Sequence, residues 1–296
     1  MSTRASLRCH RLTWDVRPQR RPYSRTLYFA EHVMRRVYVG NWPAKLWALV
    51  PGRTRVDLLE HALDLGRTDG RPPLRIAFAS DLHIGPTTPP AVLDNAFALL
   101  ARARPDVLAF GGDYVFLGAL HSRVAELKRR VAAVPAPLKV AVLGNHDFWA
   151  RPERIADALV DIGVEVLINR ALRLPPPHDD VALVGLDDPV TGRVAAGTVA
   201  QVADAPHKLA LCHSPDAIGA LAGTGVSLLL CGHTHGGAVC LPGCRPIVMP
   251  SRAGRLYPFG RHEVNGTTLF VSRGVGGSLV PVRTYAPPDV AVFTIR

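Results

Sequence analysis

The sequence predicts an α/β fold in which helices cover the faces of β-sheets. Beyond residue 73, short apolar runs alternate with segments that read as helices, and this alternation is typical of such folds. In addition, five short polar clusters each follow an apolar run that reads as a strand. Because sheets of this class place active sites at the carboxyl ends of their strands, the clusters predict one shared site.

The elements follow from the residues in order. Residues 74–80 form a continuous apolar run, which is typical of a buried strand. Helices are predicted at residues 91–103, 124–134 and 152–162. Further strands are predicted at residues 107–110, 138–143, 181–186, 208–212, 227–231, 269–272 and 290–295. We therefore expect one domain over residues 74–296 and an amphipathic, helical extension over residues 1–70.

The extension is basic and rich in tryptophan. Residues 1–75 hold 15 Lys and Arg against 6 Asp and Glu, a net of +9 out of +11 for the 296-residue chain. One predicted helix presents an apolar face made of Leu27, Ala30, Met34, Val37 and Tyr38. Helices of this kind often lie in a membrane interface, but they can equally pack on a protein core, so both alternatives are open.

The charge and cysteine content bear on partners and compartment. Concentrated positive charge favours a membrane surface or nucleic acid, and a solvated arginine-rich terminus is the alternative. Charged residues interrupt the first forty residues, so neither a signal peptide nor a transmembrane helix is expected. Cys212 and Cys231 are expected in buried strands, whereas Cys240 and Cys244 could form a disulfide, bind metal or stay reduced. A cytoplasmic protein, peripheral to the inner face of the plasma membrane, fits these features.

Carboxylate and imidazole side chains dominate the first two clusters. Asp81 and His83 are two residues apart, so an extended backbone would project both to the same side. Such a pair suits manganese, iron or zinc. Asp113 follows two glycines, which leave room for an ion, and its two oxygens could bridge two metals. A turn aspartate that caps its own backbone is the alternative reading.

The remaining clusters add an amide and four imidazoles. Asn145 offers a neutral carbonyl oxygen as a ligand, and His146 points elsewhere and is free to act as an acid. We expect Asp147 to orient the imidazole of His146 and raise its pKa. The other imidazoles belong to His213, His233 and His235.

Over residues 74–296 the sequence resembles the calcineurin-like metallophosphoesterase superfamily. The order of motifs that carries the resemblance is Asp81-Leu82-His83, Gly112-Asp113, Gly144-Asn145-His146-Asp147, His213 and Gly232-His233-Thr234-His235. It implies a two-layer β-sandwich flanked by α-helices, with two metal ions at the strand ends and His146 as the non-ligand catalytic histidine. One ion would be held by Asp81, His83, Asp113 and His235. The other would be held by Asp113, Asn145, His213 and His233.

Later motifs resemble the YkuE-type, membrane-associated phosphodiesterase branch, which lies near enzymes that act on UDP-diacylglucosamine. They occupy residues 232–237, 271–276 and Pro281-x-Arg283. Ala238 departs from the branch, where glutamine is common, and the basic extension stands in place of the usual membrane anchor. Arg273 and Arg283 could clamp a substrate phosphate, and structural salt bridges are the alternative.

The function predicted from these residues is hydrolysis of a phosphodiester or pyrophosphate bond in a lipid-linked or nucleotide-linked substrate. Two divalent metals, manganese before iron or zinc, would activate water and neutralise phosphate oxygens, while His146 protonates the leaving group. Two other classes stay open. One is a non-catalytic scaffold of the same fold, like the retromer subunit of this superfamily. The other is a nuclease or cyclic-nucleotide phosphodiesterase, although no nucleic-acid motif is recognisable.

Overall fold

The computed structural model describes residues 24–67, 70–279 and 282–296. The predictions for the first part of the extension, residues 1–23, lie outside the described residues. Two six-stranded sheets dominate the remainder, and helices lie against them. The α-helices are α1 (Arg25–Val37), α2 (Trp42–Leu49), α3 (Pro90–Arg102), α4 (His121–Ala133), α5 (Asn145–Trp149), α6 (Pro152–Val160) and α7 (Arg252–Leu256).

The first sheet carries three of the polar clusters. Its strands are β1 (Asp57–Leu63), β2 (Leu74–Ala79), β3 (Val107–Phe110), β4 (Leu138–Ala141), β5 (Val164–Val166) and β14 (Asp289–Ile295). They lie in the order β1-β14-β2-β3-β4-β5, and only β14 and β2 pair antiparallel. The sheet thus includes β1, a strand within the segment that the sequence assigned to the extension.

The second sheet carries the other two clusters. Its strands are β6 (Arg170–Arg173), β7 (Val181–Gly185), β8 (His207–Leu211), β9 (Val226–Cys231), β12 (Gly260–Val264) and β13 (Thr267–Val271). They lie in the order β12-β13-β9-β8-β7-β6, with antiparallel pairs only at the two edges. A short hairpin, β10 (Cys240–Leu241) and β11 (Arg245–Pro246), follows the last cluster.

The two sheets pack face to face over one apolar core. Phe78 and Phe293 from the first sheet meet Phe270 from the second, with ring centroids 6.3 and 5.2 Å from Phe270. Helices α3, α4 and α6 cover the outer face of the first sheet. Two 3₁₀ segments, Ala196–Val202 and Pro215–Leu221, cover the second. The predicted two-layer β-sandwich flanked by helices is confirmed, and β3, buried throughout, shows why such strands read as continuous apolar runs.

The helices of the extension pack on this domain. The backbone N–H of Ala44 in α2 donates to the carbonyl of Pro86 at 3.0 Å, and Trp47 is buried. In α1 the buried residue is Glu31, while Phe29 on the other side is 68% exposed. An N-terminal helix is therefore present, with one side on the domain and an apolar side in solvent. Among the described residues, every helix is too short or too polar to cross a bilayer.

The four cysteines of the described ranges are free thiols. Cys212 and Cys231 are fully buried at the ends of β8 and β9, where burial first of all raises the pKa of both thiols. Cys240 and Cys244 flank the turn of the β10–β11 hairpin and are not joined. Neither pair is part of the polar site.

Candidate metal centre

Five strand ends bring the polar clusters to one place. Asp81 and Asp113 follow β2 and β3, and Asn145 begins α5 just after β4. From the second sheet, His213 follows β8, and the His233 segment follows β9. The first three strands are parallel neighbours, and so are the last two, so their carboxyl ends meet across the top of the sandwich. The seven predicted ligands are all buried.

The backbone at these strand ends is not extended. Asp81, His83 and Asp113 have φ of 55°, 42° and 57°, and His233 and His235 have φ of 70° and 52°. The expectation that each pair would share one side of an extended segment is therefore wrong. Left-handed backbone is uncommon outside glycine and costs about 1–3 kcal/mol per residue, so its concentration here marks a functional site.

One group of donors comes from the ends of β2 and β9. The Nε2 atoms of His83 and His235 lie 3.1 Å apart, and they are 3.9 and 3.5 Å from Oδ1 of Asp81. The backbone N–H of His233 donates to Oδ2 of Asp81 at 3.1 Å, which fixes the carboxylate. Three ligand atoms thus point at a common volume.

A second group surrounds Nε2 of His213. Oδ2 of Asp113 lies 3.2 Å from it, Oδ1 of Asn145 3.1 Å, and Nδ1 of His233 3.2 Å. The same Oδ2 of Asp113 lies 3.6 Å from Nε2 of His83 in the first group. Asp113 therefore stands between the two groups, as the predicted bridging role requires.

The orientation of the His213 ring fits a metal at the second group. The Nδ1–H of His213 donates to the carbonyl of Gly111 at 2.8 Å, which turns Nε2 toward Asp113. Within the described residues, Nδ1 of His83 and Nε2 of His233 are buried without a hydrogen-bond partner. These two nitrogen atoms lie on the far side of each ring from the donors, because His83 faces its group with Nε2 and His233 faces its group with Nδ1.

Charge is balanced between the imidazoles and the carboxylates. Burial first of all lowers the pKa of His83, His233 and His235, to about 4 for His233. These imidazoles are therefore neutral, as metal ligands must be. Burial also opposes the charge on His213, but the neighbouring Asp113 carboxylate outweighs it and raises the pKa of His213. Burial raises the pKa of Asp113, but the charges of His213 and His146 outweigh burial, so this pKa lies well below its usual value.

Glycine is required beside both carboxylates. A Cβ atom on Gly144 would lie 2.2 Å from Oδ1 of Asp113, and one on Gly232 would lie 2.2 Å from Oδ2 of Asp81. Gly112, with φ of 92°, turns the chain so that Asp113 enters the site. The glycines of these motifs thus let the two sheets approach closely enough to share ligands.

His146 lies beside the predicted metal ligands without joining either group. Its backbone N–H donates to Oδ1 of Asp113 at 2.8 Å, and its ring contacts that of His83 edge-on at 5.0 Å. Its Nδ1 lies 3.5 Å from Oε1 of Glu31, a residue of α1. Burial lowers the pKa of His146, but the carboxylates of Asp113 and Glu31 outweigh burial and raise it.

Asp147 does not orient His146, contrary to the prediction. Its carboxylate accepts three backbone hydrogen bonds, from Asp113 at 2.7 Å, Tyr114 at 2.8 Å and Gly144 at 2.9 Å. It therefore holds together the two loops that carry ligands. The carboxylate beside His146 is that of Glu31, which the sequence analysis missed. Its only sequence signal is that a charged residue falls on the apolar face of α1, between Leu27 and Met34.

The two C-terminal arginines serve the framework rather than an open phosphate site. Arg273 is ion-paired with Asp289 at 2.8 Å and with Asp57 at 3.2 Å. Arg283 donates to the carbonyls of Arg273 and Ala286 at 2.8 and 3.2 Å. Its Nη2 also donates to Nδ1 of His235 at 3.0 Å. The prediction that the two arginines clamp a substrate phosphate is therefore not supported. Arg273 forms the salt bridges of the alternative reading, and Arg283 supports the ring of the predicted ligand His235.

Buried carboxylate, amide and imidazole side chains at the strand ends of a helix-flanked β-sandwich are typical of a metal-dependent phosphoester hydrolase. Residues 74–237 match the calcineurin-like phosphoesterase family, and the chain belongs to that family. The family depends on a dinuclear metal centre. The described residues provide two groups that could hold an ion, Asp81–His83–His235 and Asp81–Asp113–His213, with the ligand atoms of each within 4.8 Å of one another.

Several relatives share most of their length with this chain. It is 30% identical to the phosphodiesterase YaeI of Escherichia coli, over 81% of this chain and 88% of the relative. It is 28% identical to the metallophosphoesterase YkuE of Bacillus subtilis, over 75% of this chain and 79% of the relative. It is 25% identical to the UDP-2,3-diacylglucosamine pyrophosphatase LpxG of Chlamydia muridarum, over 78% of this chain and 88% of the relative.

Proposed function

We propose that the chain hydrolyses a phosphodiester or pyrophosphate bond of a lipid-linked substrate, using two divalent metal ions, manganese in the first place. The observation that carries the proposal is the position of Asp113, whose Oδ2 faces His213 at 3.2 Å and His83 at 3.6 Å. A carboxylate shared between two groups of carboxylate, amide and imidazole donors suits a pair of ions of the manganese, iron and zinc class.

In this proposal each ion has four protein ligands. Asp81, His83, Asp113 and His235 hold one, and Asp113, Asn145, His213 and His233 hold the other. Two ions held this way supply an activated water and neutralise the charge of the phosphate. His146 remains outside both sets, and the carboxylates of Asp113 and Glu31 raise its pKa, which favours the role of proton donor to the leaving oxygen. Its backbone bond to Asp113 and the Glu31 carboxylate support its orientation.

The extension supports a lipid-linked substrate met at an anionic membrane surface. Phe29 of α1 and Leu49 of α2 are 68% and 75% exposed, and Arg36 and Lys45 on the same two helices are exposed as well. Exposed apolar and basic side chains on short helices are typical of proteins that lie in a lipid interface. The pyrophosphatase named among the relatives acts on a lipid-bearing nucleotide, which agrees with this choice.

Hydrolysis can be tested with bis(p-nitrophenyl) phosphate and Mn²⁺ on the full chain. We expect activity that falls at least about a hundredfold in Asp113→Asn. His146→Ala should cause a loss of similar size on a diester with an alkyl leaving group, which needs a proton to depart. Asp157→Asn and His121→Ala, which change exposed residues, serve as matched controls. An active wild type whose activity survives both site variants would overturn the proposed centre. A scaffold without catalysis would show no turnover in any form of the protein.

Membrane binding is tested separately by co-sedimentation with phosphatidylglycerol vesicles. Phe29→Ser combined with Leu49→Ser should weaken binding, because both side chains would leave water for the lipid interface. Leu256→Ser is the control, since Leu256 is equally exposed but lies on α7. Equal binding by all three proteins would contradict the role of the extension. If the wild type binds single-stranded DNA at low salt but does not bind the vesicles, the nuclease alternative is favoured.

A further inference from the structure

A cavity of about 590 Å³ opens beside the candidate centre, between α1 and the loops around α4, α5 and α6. Four arginines line it: Arg35, Arg123, Arg151 and Arg154. Among the described residues that line it, none is Asp or Glu. The volume is that of a typical small-molecule pocket. We call this cavity the arginine pocket.

The arginines are held close together without a matching number of acids. Arg123 donates to the carbonyls of Phe116, Leu117 and Gly118 at 2.6, 2.9 and 3.1 Å, so its guanidinium is fixed. Arg35 reaches the same loop, and a Cβ on Gly118 would lie 3.5 Å from its Nη2. Burial, followed by the charge of Arg35, lowers the pKa of Arg123. Such repulsion is relieved when an anion binds.

The remaining two arginines face the pocket from the start of α6. Within the described ranges, neither Arg151 nor Arg154 forms an ion pair, whereas Arg35 is paired with Glu31 at 3.6 Å. Arg151 has φ of 85°, and strained backbone at a non-glycine residue tends to occur where a side chain is held for binding. Guanidinium groups are well suited to phosphate, since each can donate two parallel hydrogen bonds.

The pocket adjoins the candidate centre on the side of His146. Trp149 lines the pocket, and its ring lies 5.1 Å from that of His146. Phe116, which precedes the lining residue Leu117, contacts His146 at 5.4 Å. If His146 protonates the leaving oxygen, the group that departs with that oxygen lies on this side. The pocket is thus placed to bind the leaving group.

We propose that the arginine pocket binds a phosphate monoester leaving group, so that the preferred substrate is a pyrophosphate-linked one. The inference rests on the proposed function and chooses between its two bond types. Water adds its oxygen to one phosphorus, and the bond from that phosphorus to the bridging oxygen breaks. The bridging oxygen takes up a proton and departs with the second phosphorus as a phosphate monoester, which the arginines hold. Tyr28, Tyr38 and Trp149 provide aromatic walls for the group that it carries.

The first test measures binding without catalysis. Phenyl phosphate is titrated into the metal-free full chain by calorimetry, because removal of the ions leaves the arginine pocket as the main phosphate site. The double variant Arg151→Gln, Arg154→Gln should raise the dissociation constant about tenfold or more, since two charged donors are lost. Arg129→Gln, an exposed arginine of α4 outside the pocket, is the matched control and should bind like the wild type. An unchanged dissociation constant in the double variant overturns the pocket.

The second test compares two substrates with Mn²⁺. The leaving group of P¹,P²-diphenyl pyrophosphate is phenyl phosphate. The leaving group of bis(p-nitrophenyl) phosphate is p-nitrophenolate, which carries no phosphate. The double variant should lower kcat/KM about tenfold for the pyrophosphate and less than about twofold for the diester. Equal losses on both substrates would overturn the assignment of the pocket to the leaving group. If the wild type hydrolyses neither substrate, the proposed function fails, and the binding test still decides whether the pocket takes a phosphate monoester.

Discussion

Oε1 of Glu31 lies 3.5 Å from Nδ1 of His146. The two residues are 115 positions apart in the chain. Glu31 is 6% exposed on α1, a helix outside the segment of the chain that matches the family. The N-terminal helix is thus part of the candidate site, and it supplies the carboxylate that the local sequence led us to expect from Asp147.

This contact predicts that Glu31→Gln affects the substrates unequally. A carboxylate that holds the imidazolium of His146 matters most when the leaving oxygen needs a proton. We expect kcat to fall about tenfold or more for a diester with an alkyl leaving group. For bis(p-nitrophenyl) phosphate, whose leaving group departs unprotonated, we expect less than about a threefold loss. Glu60→Gln, an exposed residue of β1, is the control. Equal losses on both esters would mean that Glu31 only supports the fold.

Gly144→Ala should weaken metal binding without unfolding the protein. The added Cβ would lie 2.2 Å from Oδ1 of Asp113, so this carboxylate, which we propose bridges the two ions, must move. We expect about a 10- to 100-fold loss of Mn²⁺ affinity, as for changes to residues that orient metal ligands. Equilibrium dialysis with metal analysis measures it. Gly197→Ala is the matched control, because a Cβ there meets no atom within 4 Å. Equal affinities in both variants would show that the close packing at Gly144 is not required.

Asp147→Asn should destabilise the fold. The amide can accept through one oxygen only, so at least one of the backbone N–H groups of Asp113, Tyr114 and Gly144 loses its partner. An unsatisfied buried donor costs about 1–3 kcal/mol, which denaturant unfolding monitored by fluorescence resolves. Asp157→Asn, on the exposed side of α6, provides the comparison. The opposite outcome would be an Asp147→Asn variant that is as stable as the wild type and is slower only on esters with poor leaving groups. That outcome would identify Asp147 as the partner of His146.

The ion pair of Arg67 with Asp180 predicts a pH dependence of stability. Nε and Nη2 of Arg67 donate to Asp180 at 2.7 and 2.9 Å, and these bonds lower the pKa of Asp180 below 3.8. Because the folded-state pKa is lowered, the stabilisation is complete above the unfolded pKa and is lost as the pH falls through the folded one. Asp180→Asn should therefore reduce the free energy of unfolding by about 2 kcal/mol at pH 7. The difference between the two proteins should shrink below about pH 4.

Urea unfolding of both proteins between pH 3 and pH 7 measures this difference. Asp161→Asn is a useful control, because its ion pair with Lys128 is largely exposed and should contribute little at any pH. A difference between wild type and Asp180→Asn that stays constant over the whole pH range would contradict a charged interaction at Asp180.

Much of the fold could be read from local patterns. Helices α3, α4 and α6 begin and end within a few residues of their predicted bounds, because each has an apolar face of helical period. The buried strands β2, β3, β8 and β9 were found as continuous apolar runs. The short β10–β11 hairpin was missed, and so were the edge strands β1, β5, β6 and β12. At a sheet edge one face can meet solvent, so the apolar run is short or broken.

The class of chemistry could be predicted from the sequence alone, because ligand types and their order along the chain are local properties. The sequence places Asp113 beside two glycines and His233 two residues before His235, and the structure brings all seven predicted ligands together. The groups that surround His146, in contrast, depend on how distant segments of the chain pack together. Glu31 reaches it through the packing of α1, and Asp147 turns away to bond the backbone. Contacts of this kind join residues distant in the chain, so no spacing or periodicity in the sequence encodes them.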